Sequence, residues 1–272
     1  MVKIIAEIGI NHNGSIDLCK RLIQLAKISG CDYVKIQKRE PDICVPEEQK
    51  SVIRDTPWGK ITYLEYKKKM EFNEEQIKEL IEFSNNLGII FFASVWDLPS
   101  AKLMAKYTDI VKIGSACLTN NELIQYCRDN YKTYILSTGM SSEREIKHAI
   151  DLSNPDIIMH TNSTYPCPVE QLNLNYIKWL QYQYPKKEIG YSGHEYGLVT
   201  TFATVAMGAS WIERHITLDR NMWGSDQSSS IEPSGLFKLV KGIRDIEFAT
   251  KFEMQPRIEF QGELIKKKSL RK

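Results

Sequence analysis

Short apolar runs alternate with longer amphipathic segments along the chain, and the alternation repeats eight times. The apolar runs are rich in Ile, Val and Tyr, which is typical of strands buried on both faces of a parallel sheet. They occupy residues 4–10, 33–37, 89–94, 110–113, 133–137, 156–160, 188–192 and 211–215. The amphipathic segments predict helices over residues 15–29, 73–87, 99–107, 120–129, 142–152, 172–184, 198–207 and 233–249. Eight strand–helix units within residues 1–250 match the size of a closed parallel barrel, so the sequence predicts an α/β fold, a (β/α)8 TIM barrel.

A doubly wound open sheet is the alternative arrangement of alternating strands and helices. Such a sheet usually has fewer strands, and a dinucleotide-binding one carries a glycine-rich turn after its first strand. The first turn here, residues 11–14, reads Asn-His-Asn-Gly and does not match that pattern. The barrel is therefore favoured, and no dinucleotide cofactor is implied.

Two segments do not fit the regular spacing. Residues 38–72 form a long connection that contains Trp58 and Tyr63, and aromatic side chains argue against disorder. Two interpretations remain open for it: a lid over the site, or an excursion packed on the surface. Residues 251–272 end in a basic sequence and are predicted to pack on the barrel as a strand or helix.

The overall charge excludes some classes of function. The chain has 36 Lys+Arg against 34 Asp+Glu, and this net charge of +2 argues against nucleic-acid or anionic-membrane binding. No apolar run approaches the roughly 18 residues of a membrane span, and the start of the chain lacks a secretory pattern, so a cytoplasmic location is expected. The six cysteines include no Cys-x-x-Cys pair, which predicts reduced core thiols.

Polar side chains collect at the ends of the predicted strands, which is where a parallel barrel places its catalytic face. Lys35 and Lys112 lie on inner strands, where a charge is costly unless it is paired or used. Four serines lie at the same ends: Ser94, Ser115, Ser137 and Ser192. The sequence therefore predicts a cationic, hydroxyl-rich ring suited to an anion that carries both phosphate and carboxylate.

Two histidines, His194 and His215, end the seventh and eighth predicted strands. Two neutral imidazoles near carboxylates such as Glu7 and Asp226 predict a site for a divalent metal. With these ligands and water, Mn²⁺, Mg²⁺ or Co²⁺ is favoured over structural zinc. His12 is a candidate third contributor.

Seven segments of the chain carry a more specific signal. They are AEIGINHNG (6–14), VKIQ (34–37), VKIGS (111–115), LSTGM (136–140), STYP (163–166), GYSGH (190–194) and ERHITLDR (213–220). In this order, over residues 3–250, the chain resembles the sialic acid synthase family of phosphoenolpyruvate-dependent nonulosonate synthases. Each segment alone is weak, but the ordered set is highly specific.

The resemblance implies condensation of phosphoenolpyruvate with the open-chain aldehyde of an N-acylated amino sugar such as N-acetylmannosamine. The products would be a nine-carbon 2-keto acid and phosphate, and a divalent metal, commonly Mn²⁺, would be required. The metal ligands implied are His194 and His215. The catalytic residues implied are Glu7, Lys35, Lys112 and Tyr165. The substrate-binding residues implied are Gln37, Ser94, Ser115, Ser137, Ser163, Ser192 and Asp226.

The chain departs from the family pattern in three places. Cys117 lies where members often have a carboxylate, and Trp96 follows the third strand where many have Ser-Thr-Pro. A small antifreeze-like C-terminal domain, which in family members lends an arginine to the partner subunit's sugar site, is not expected in this protein. The acceptor sugar therefore stays open, and any homodimer is expected to form through the barrel.

Two other functions remain as alternatives. One is a related synthase that joins phosphoenolpyruvate to a phosphorylated aldose, for which Arg39 or Arg54 would supply the extra anion pocket. The other is a catalytically silent barrel that binds a sugar or serves as a partner subunit.

Overall fold

A computed structural model describes residues 1–271, and eight of its strands close into a parallel barrel. The barrel strands are β1 (Lys3–Gly9), β2 (Tyr33–Lys38), β5 (Ile90–Val95), β6 (Ile110–Ile113), β7 (Thr133–Ser137), β8 (Ile157–Thr161), β9 (Glu188–Gly193) and β10 (Trp211–His215), whereas β3 (Ile53–Thr56) and β4 (Gly59–Thr62) form a separate hairpin. The order around the barrel is β1-β10-β9-β8-β7-β6-β5-β2. The predicted (β/α)8 barrel and each of its eight strands are confirmed.

Helices connect the barrel strands at the predicted positions. They are α1 (Ile16–Ser29), α5 (Glu74–Leu87), α6 (Leu98–Met104), α7 (Asn121–Asn130), α8 (Glu143–Ser153), α9 (Asn175–Gln183), α10 (Val199–Ala206) and α11 (Pro233–Ala249). Ser15 caps α1 by accepting a backbone N–H. Asn73 with Gln76, and Ser142 with Glu145, form capping boxes at α5 and α8. These caps satisfy N–H groups that the first helical turn leaves unpaired.

The barrel interior contains two sets of side chains. The first, here called the apolar plug, comprises Ile5, Phe92, Ile110, Ile135, Ile157, Met159 and Trp211. The second, here called the polar ring, lies two residues further along several of the same strands and comprises Glu7, Ser94, Lys112, Ser137 and Glu213, together with Lys35, Thr161 and Ser192. Because side chains of a strand alternate between its faces, residues two apart point into the same interior. The plug therefore forms the floor on which the ring lies.

The connection over residues 38–72 is folded rather than an extended loop. It contains α2 (Pro41–Cys44), α3 (Glu47–Lys50), the β3–β4 hairpin and α4 (Tyr63–Met70). The rings of Trp58 and Tyr66 lie 5.9 and 5.2 Å from the ring of Trp223, which follows β10. The segment is thus packed against the C-terminal side of the barrel, and closure over the site stays a prediction.

The last described segment forms α12 (Gln261–Leu270), which buries no side chain. The structure therefore gives no support to the predicted packing of residues 251–272 on the barrel; Lys272 itself lies outside the described residues. The six cysteines are unpaired, as predicted, and all except the half-buried Cys44 are buried. Within residues 1–271, no helix has the length and apolar character needed to cross a membrane.

Candidate active site

A cavity of about 300 Å³ opens at the C-terminal ends of the barrel strands. Thirteen of the predicted site residues line it: Glu7, Lys35, Gln37, Ser94, Lys112, Ser115, Ser137, Ser163, Tyr165, Ser192, His194, His215 and Asp226. Eleven lie on strands or directly after them, whereas Tyr165 and Asp226 come from the longer loops that follow β8 and β10. The structure therefore brings these thirteen residues together, although their roles stay predictions.

Lys35 is held by three neighbours in the polar ring. Its Nζ lies 2.6 Å from Glu7 Oε2 and 3.8 Å from Glu213 Oε1. It also donates a hydrogen bond of 2.6 Å to Ser94 Oγ. An ammonium group this deeply buried needs such partners, because desolvating an isolated charge costs several kcal/mol.

Lys112 has a carboxylate partner that the sequence interpretation left out. Its Nζ lies 2.6 Å from Glu213 Oε1, and Ser192 Oγ donates to the same oxygen at 3.1 Å. The expected cationic ring is therefore a cluster of two lysines and two carboxylates, which corrects the prediction. The signal for Glu213 was present, since it lies two residues before His215 on the same strand and so faces the same interior.

Burial and neighbouring charges move the two carboxylates in opposite directions. Burial raises the pKa of Glu7 to about 7, although Lys35 opposes the shift and Glu213 adds to it. Burial also acts to raise the pKa of Glu213, but the ammonium groups of Lys112 and Lys35 outweigh it and lower that pKa to about 2. At neutral pH Glu213 is therefore ionised, whereas Glu7 can readily gain or lose a proton.

Several polar atoms of the ring have no partner within residues 1–271. Ser137 Oγ, Thr161 Oγ1 and Glu213 Oε2 are buried and make no hydrogen bond. Buried polar atoms are normally paired in folded proteins, so such atoms in a cavity wall point to a ligand.

Gly139 shows why a glycine follows β7. A Cβ atom at this position would clash with Ser163 Oγ and would lie 2.7 Å from Ser115 Oγ. Its backbone N–H donates to Ser115 Oγ at 3.0 Å. The absent side chain lets these two serines approach each other at the edge of the cavity.

The two histidines lie side by side, with ring centroids 5.3 Å apart. His194 Nδ1 lies 2.6 Å from the carbonyl oxygen of Asn162, and since a carbonyl only accepts, Nδ1 carries the proton and Nε2 keeps its lone pair. His215 Nδ1 makes no hydrogen bond and lies 3.6 Å from Asp226 Oδ2. Burial is the largest cause that lowers the pKa of each histidine to about 3, so both are neutral at physiological pH.

These neutral imidazoles suit a metal, but they form a small ligand set. Within residues 1–271, no group of three or more His, Cys, Asp or Glu side chains is arranged to hold an ion. His12, the predicted third contributor, is not part of the site. It stacks on Phe72 at 4.3 Å, and its Nδ1 accepts the Gly14 N–H at 3.1 Å. That prediction was wrong because His12 points into the packing between the barrel and residues 38–72.

Tyr165 covers the histidines from the solvent side. Its ring centroid lies 4.0 Å from that of His194 and 5.6 Å from that of His215, the second contact being edge-on. Two cations outside the polar ring, Arg39 and Lys67, also line the cavity. The sequence assigned Arg39 only to the anion pocket of an alternative function. Lys67 was not predicted to lie in the site, because it belongs to a run of three lysines.

Comparison with known proteins identifies the family of the chain. The NeuB family model matches residues 22–254. The chain is 37% identical to the mouse N-acetylneuraminate-9-phosphate synthase, over 90% of this chain and 70% of the relative. It is 35% identical to the N,N'-diacetyllegionaminic acid synthase of Campylobacter jejuni, over 90% of this chain and 76% of the relative.

A solved structure is similar over nearly the full chain. The N-acetylneuraminic acid (sialic acid) synthetase of Leptospira borgpetersenii, crystallised with citrate, aligns with a TM-score of 0.87 and 31% identity, over 99% of this chain and 92% of that one. The resemblance seen in the seven sequence segments and the prediction of an enzyme of the synthase type are both confirmed. The chain belongs to the NeuB family.

Proposed function

We propose that this protein condenses phosphoenolpyruvate with the open-chain aldehyde of an N-acylated amino sugar, giving a nonulosonic 2-keto acid and phosphate. The observation that carries the proposal is the polar ring, whose buried lysines and unpartnered oxygens share one cavity with two neutral imidazoles. The names of the relatives, which are synthases of sialic and legionaminic acids, support the same reaction class.

Lys35 and Lys112 are the groups that hold phosphoenolpyruvate. The substrate carries a phosphate and a carboxylate, and each ammonium group supplies a charge-assisted hydrogen bond to an anionic oxygen. The hydroxyls of Ser115, Ser137 and Ser192 add donors around the same space, and Ser137 Oγ has no other partner within residues 1–271. Fixing both ends of the small anion presents its C3 carbon to the second substrate.

The residues present also fit a divalent metal, for which we propose Mn²⁺, with Mg²⁺ or Co²⁺ as substitutes. His194 offers a free Nε2, oriented by the bond from its Nδ1 to a backbone carbonyl as metal-bound histidines usually are. His215 and the nearby Asp226 supply the remaining protein groups. When bound, the ion would act as a Lewis acid on the sugar aldehyde.

The reaction balances with one water. C3 of phosphoenolpyruvate attacks the aldehyde carbon and forms the new C–C bond, while water adds to C2 and gives a hemiketal phosphate. The C2–O bond to phosphate then breaks, leaving the 2-keto acid and inorganic phosphate. Glu7 is placed to move the proton, because a carboxyl group with a pKa near 7 can donate to the aldehyde oxygen and recover a proton from the attacking water.

The proposal is tested by varying the acceptor sugar, the divalent metal ion and the protein variant in one assay. The protein is assayed for 2-keto acid and phosphate formation from phosphoenolpyruvate and a panel of N-acyl hexosamines, with each divalent ion and after EDTA treatment. His215→Ala is expected to lower turnover by about 1,000-fold, because it removes a group that orients a Lewis acid. His148→Ala is the matched control, since His148 is exposed and forms a hydrogen bond with Asn121 on the outside of the barrel.

Two outcomes would contradict parts of this proposal. Undiminished turnover in His215→Ala or after EDTA treatment would remove the metal assignment. No consumption of phosphoenolpyruvate with any acceptor and any ion would remove the reaction itself and leave a silent sugar-binding barrel as the interpretation.

A further inference from the structure

The turn after β1 reads Asn-His-Asn-Gly over residues 11–14, and the reaction proposed above gives its first residue no task. Asn11 is buried, with 1% of its surface exposed, and it does not line the cavity. It contacts the loop over residues 216–231, here called the Asp226 loop, which follows β10 and is closed by a bridge between its first and last residues. A residue outside the cavity thus touches the loop that supplies part of the cavity wall.

Asn11 joins the two ends of the Asp226 loop through one side-chain nitrogen. Its Nδ2 donates hydrogen bonds to the carbonyl oxygen of Ile216 at 2.9 Å and to Ser230 Oγ at 2.8 Å. Both hydrogens of the amide nitrogen are therefore used, and they satisfy one acceptor at each end of the loop. A serine has a single O–H donor and an ionised aspartate has none, so this contact needs the amide.

Ser230 connects Asn11 to Asp226. Its Oγ accepts the Asn11 amide and donates to the backbone carbonyl of Asp226 at 2.6 Å. Ser229 Oγ adds a longer bond of 3.4 Å to the same carbonyl oxygen. Ser230 has no exposed surface, so water does not compete for its hydroxyl group. A continuous chain of hydrogen bonds, here called the loop clamp, thus runs from Asn11 through Ser230 to the backbone of Asp226.

Gln227 makes a second connection between the turn and the loop. Its Nε2 donates to the carbonyl oxygen of Asn11 at 3.2 Å, and its Oε1 accepts the hydroxyl of Thr217. The side chain is almost completely buried. Buried hydrogen-bonded networks of this kind favour one arrangement of the groups that they join. The backbone on both sides of Asp226 is therefore tied to the turn after β1.

The position of the Asp226 carboxylate depends on this backbone. Its Oδ2 lies 3.6 Å from His215 Nδ1, and its Oδ1 accepts a hydrogen bond of 2.7 Å from Ser225 Oγ. Ser225 belongs to the same loop, so within residues 1–271 no hydrogen bond from a barrel strand holds this carboxylate. A shift of the loop would therefore move the carboxylate away from His215.

We propose that Asn11 is a positioning residue for the acceptor sugar, because the loop clamp holds Asp226 beside His215. Asp226 is expected to contact the acceptor, whereas the groups expected to hold phosphoenolpyruvate lie outside the Asp226 loop. Losing the clamp should therefore weaken the use of the acceptor and leave the use of phosphoenolpyruvate unchanged. This inference rests on the proposed function, because it concerns the second substrate of the same cavity.

The kinetic experiment compares two variants of the clamp. Asn11→Ser removes both donated bonds, and Ser230→Ala is the gentler change, because it breaks only the connection to Asp226. KM is measured for phosphoenolpyruvate and for the N-acylhexosamine that reacts best in the panel above, at saturating Mn²⁺. Both variants are expected to raise KM for the acceptor by about 5- to 20-fold and to leave KM for phosphoenolpyruvate within about twofold.

Asn130→Ser is the matched control. Asn130 is exposed at the end of α7, and its Nδ2 donates to a carbonyl oxygen of the same helix at 2.8 Å. This variant should keep the wild-type KM values for both substrates. Unfolding curves check that each variant is folded. An equal rise of both KM values in Asn11→Ser and in Ser230→Ala would overturn the inference.

A double-mutant cycle separates positioning from a general loss of structure. Asp226→Ala removes the carboxylate that the clamp holds. In that background Asn11→Ser should change kcat/KM for the acceptor by less than about twofold, because the group through which Asn11 acts is gone. The same fold-loss from Asn11→Ser with and without the carboxylate would mean that Asn11 does not act through Asp226.

Hydrogen exchange tests the loop clamp without turnover. Backbone amides of the Asp226 loop are expected to exchange at least about 10-fold faster in Ser230→Ala than in the wild type, while those of β7 keep their rates. An unchanged rate in the loop would overturn the inference whatever the activity. If no acceptor reacts, the proposed function fails, and the exchange rates alone decide whether Asn11 and Ser230 position Asp226.

Discussion

Ile135 and Ser137 lie two positions apart on β7 and point into the same barrel, yet their surroundings differ. Ile135 is packed in the apolar plug, with no exposed surface. Ser137 is just as buried, but its hydroxyl makes no hydrogen bond within residues 1–271. The plug is closely packed and satisfied, whereas the polar ring holds groups that the fold alone does not satisfy. The plug therefore stabilises the fold, whereas the unpaired polar groups of the ring are explained by ligands that they bind.

The largest effect on stability is expected at Arg214, a buried charge that the fold itself pairs with a carboxylate. It alternates with Glu213 and His215 on β10, so it points out of the barrel. Its Nη1 lies 3.2 Å from Glu195 Oε1 and donates to Thr201 Oγ1 at 2.6 Å. Arg214→Met should destabilise the fold by about 3–5 kcal/mol, because Glu195 keeps a buried, unpaired charge. Denaturant unfolding measures this.

An exposed arginine provides the control for Arg214. Arg257 pairs with Glu263 at 2.7 Å, but both side chains are largely exposed. Arg257→Met should change the free energy of unfolding by less than about 0.5 kcal/mol. A loss below about 1 kcal/mol in Arg214→Met would mean that buried charges of this barrel contribute little to stability even when they are paired with a carboxylate.

Ile135 and Ser137 on β7 test directly whether the plug, and not the ring, stabilises the fold. Ile135→Ala should lower the free energy of unfolding by about 2–5 kcal/mol, because it opens a cavity in the plug. Ser137→Ala should change it by less than about 1 kcal/mol, since no hydrogen bond is lost, while lowering kcat/KM for phosphoenolpyruvate. Unfolding curves and the 2-keto acid assay on both variants separate the two effects. Similar losses of stability in both would contradict the division between plug and ring.

Much of this division was predictable from the sequence, because it depends on local patterns. Short apolar runs rich in Ile, Val and Tyr located all eight strands, and the polar side chains at their ends marked the cavity face. The pairing of Lys112 with Glu213 was not predictable, since it joins residues from opposite sides of the barrel. The position of Lys67 in the cavity wall was hidden for the same reason, because its helix α4 packs through Tyr66 on Trp223, a residue far away in the chain.

The buried histidines give the fold a pH dependence that His12 tests away from the active site. Burial lowers the pKa of His12 to about 3, below its usual 6.5. The unfolded chain therefore takes up a proton first, so the stability that His12 contributes is fully present above pH 6.5 and is lost as the pH falls towards 3. Between pH 7 and pH 5 this loss amounts to about 2 kcal/mol.

His12→Asn removes the titrating group and offers an oxygen that can still accept the Gly14 N–H. The variant is expected to lose stability at every pH through the missing stack on Phe72, but its change between pH 7 and pH 5 should be smaller than that of the wild type by about 2 kcal/mol. Urea unfolding at the two pH values gives this difference. An unchanged difference would mean that His12 is protonated in the folded protein.

The smallest effect is expected at the C-terminal end, where two helices differ in burial. Leu236 on α11 is buried in the main core, whereas Leu264 is the one half-buried side chain of α12. Leu236→Ala should cost about 2–5 kcal/mol of unfolding free energy, and Leu264→Ala less than about 0.5 kcal/mol, because little apolar surface leaves contact with other groups. Denaturant unfolding of the two variants checks both values. A loss of about 2 kcal/mol or more in Leu264→Ala would show instead that residues 251–272 pack on the barrel, as their sequence predicts.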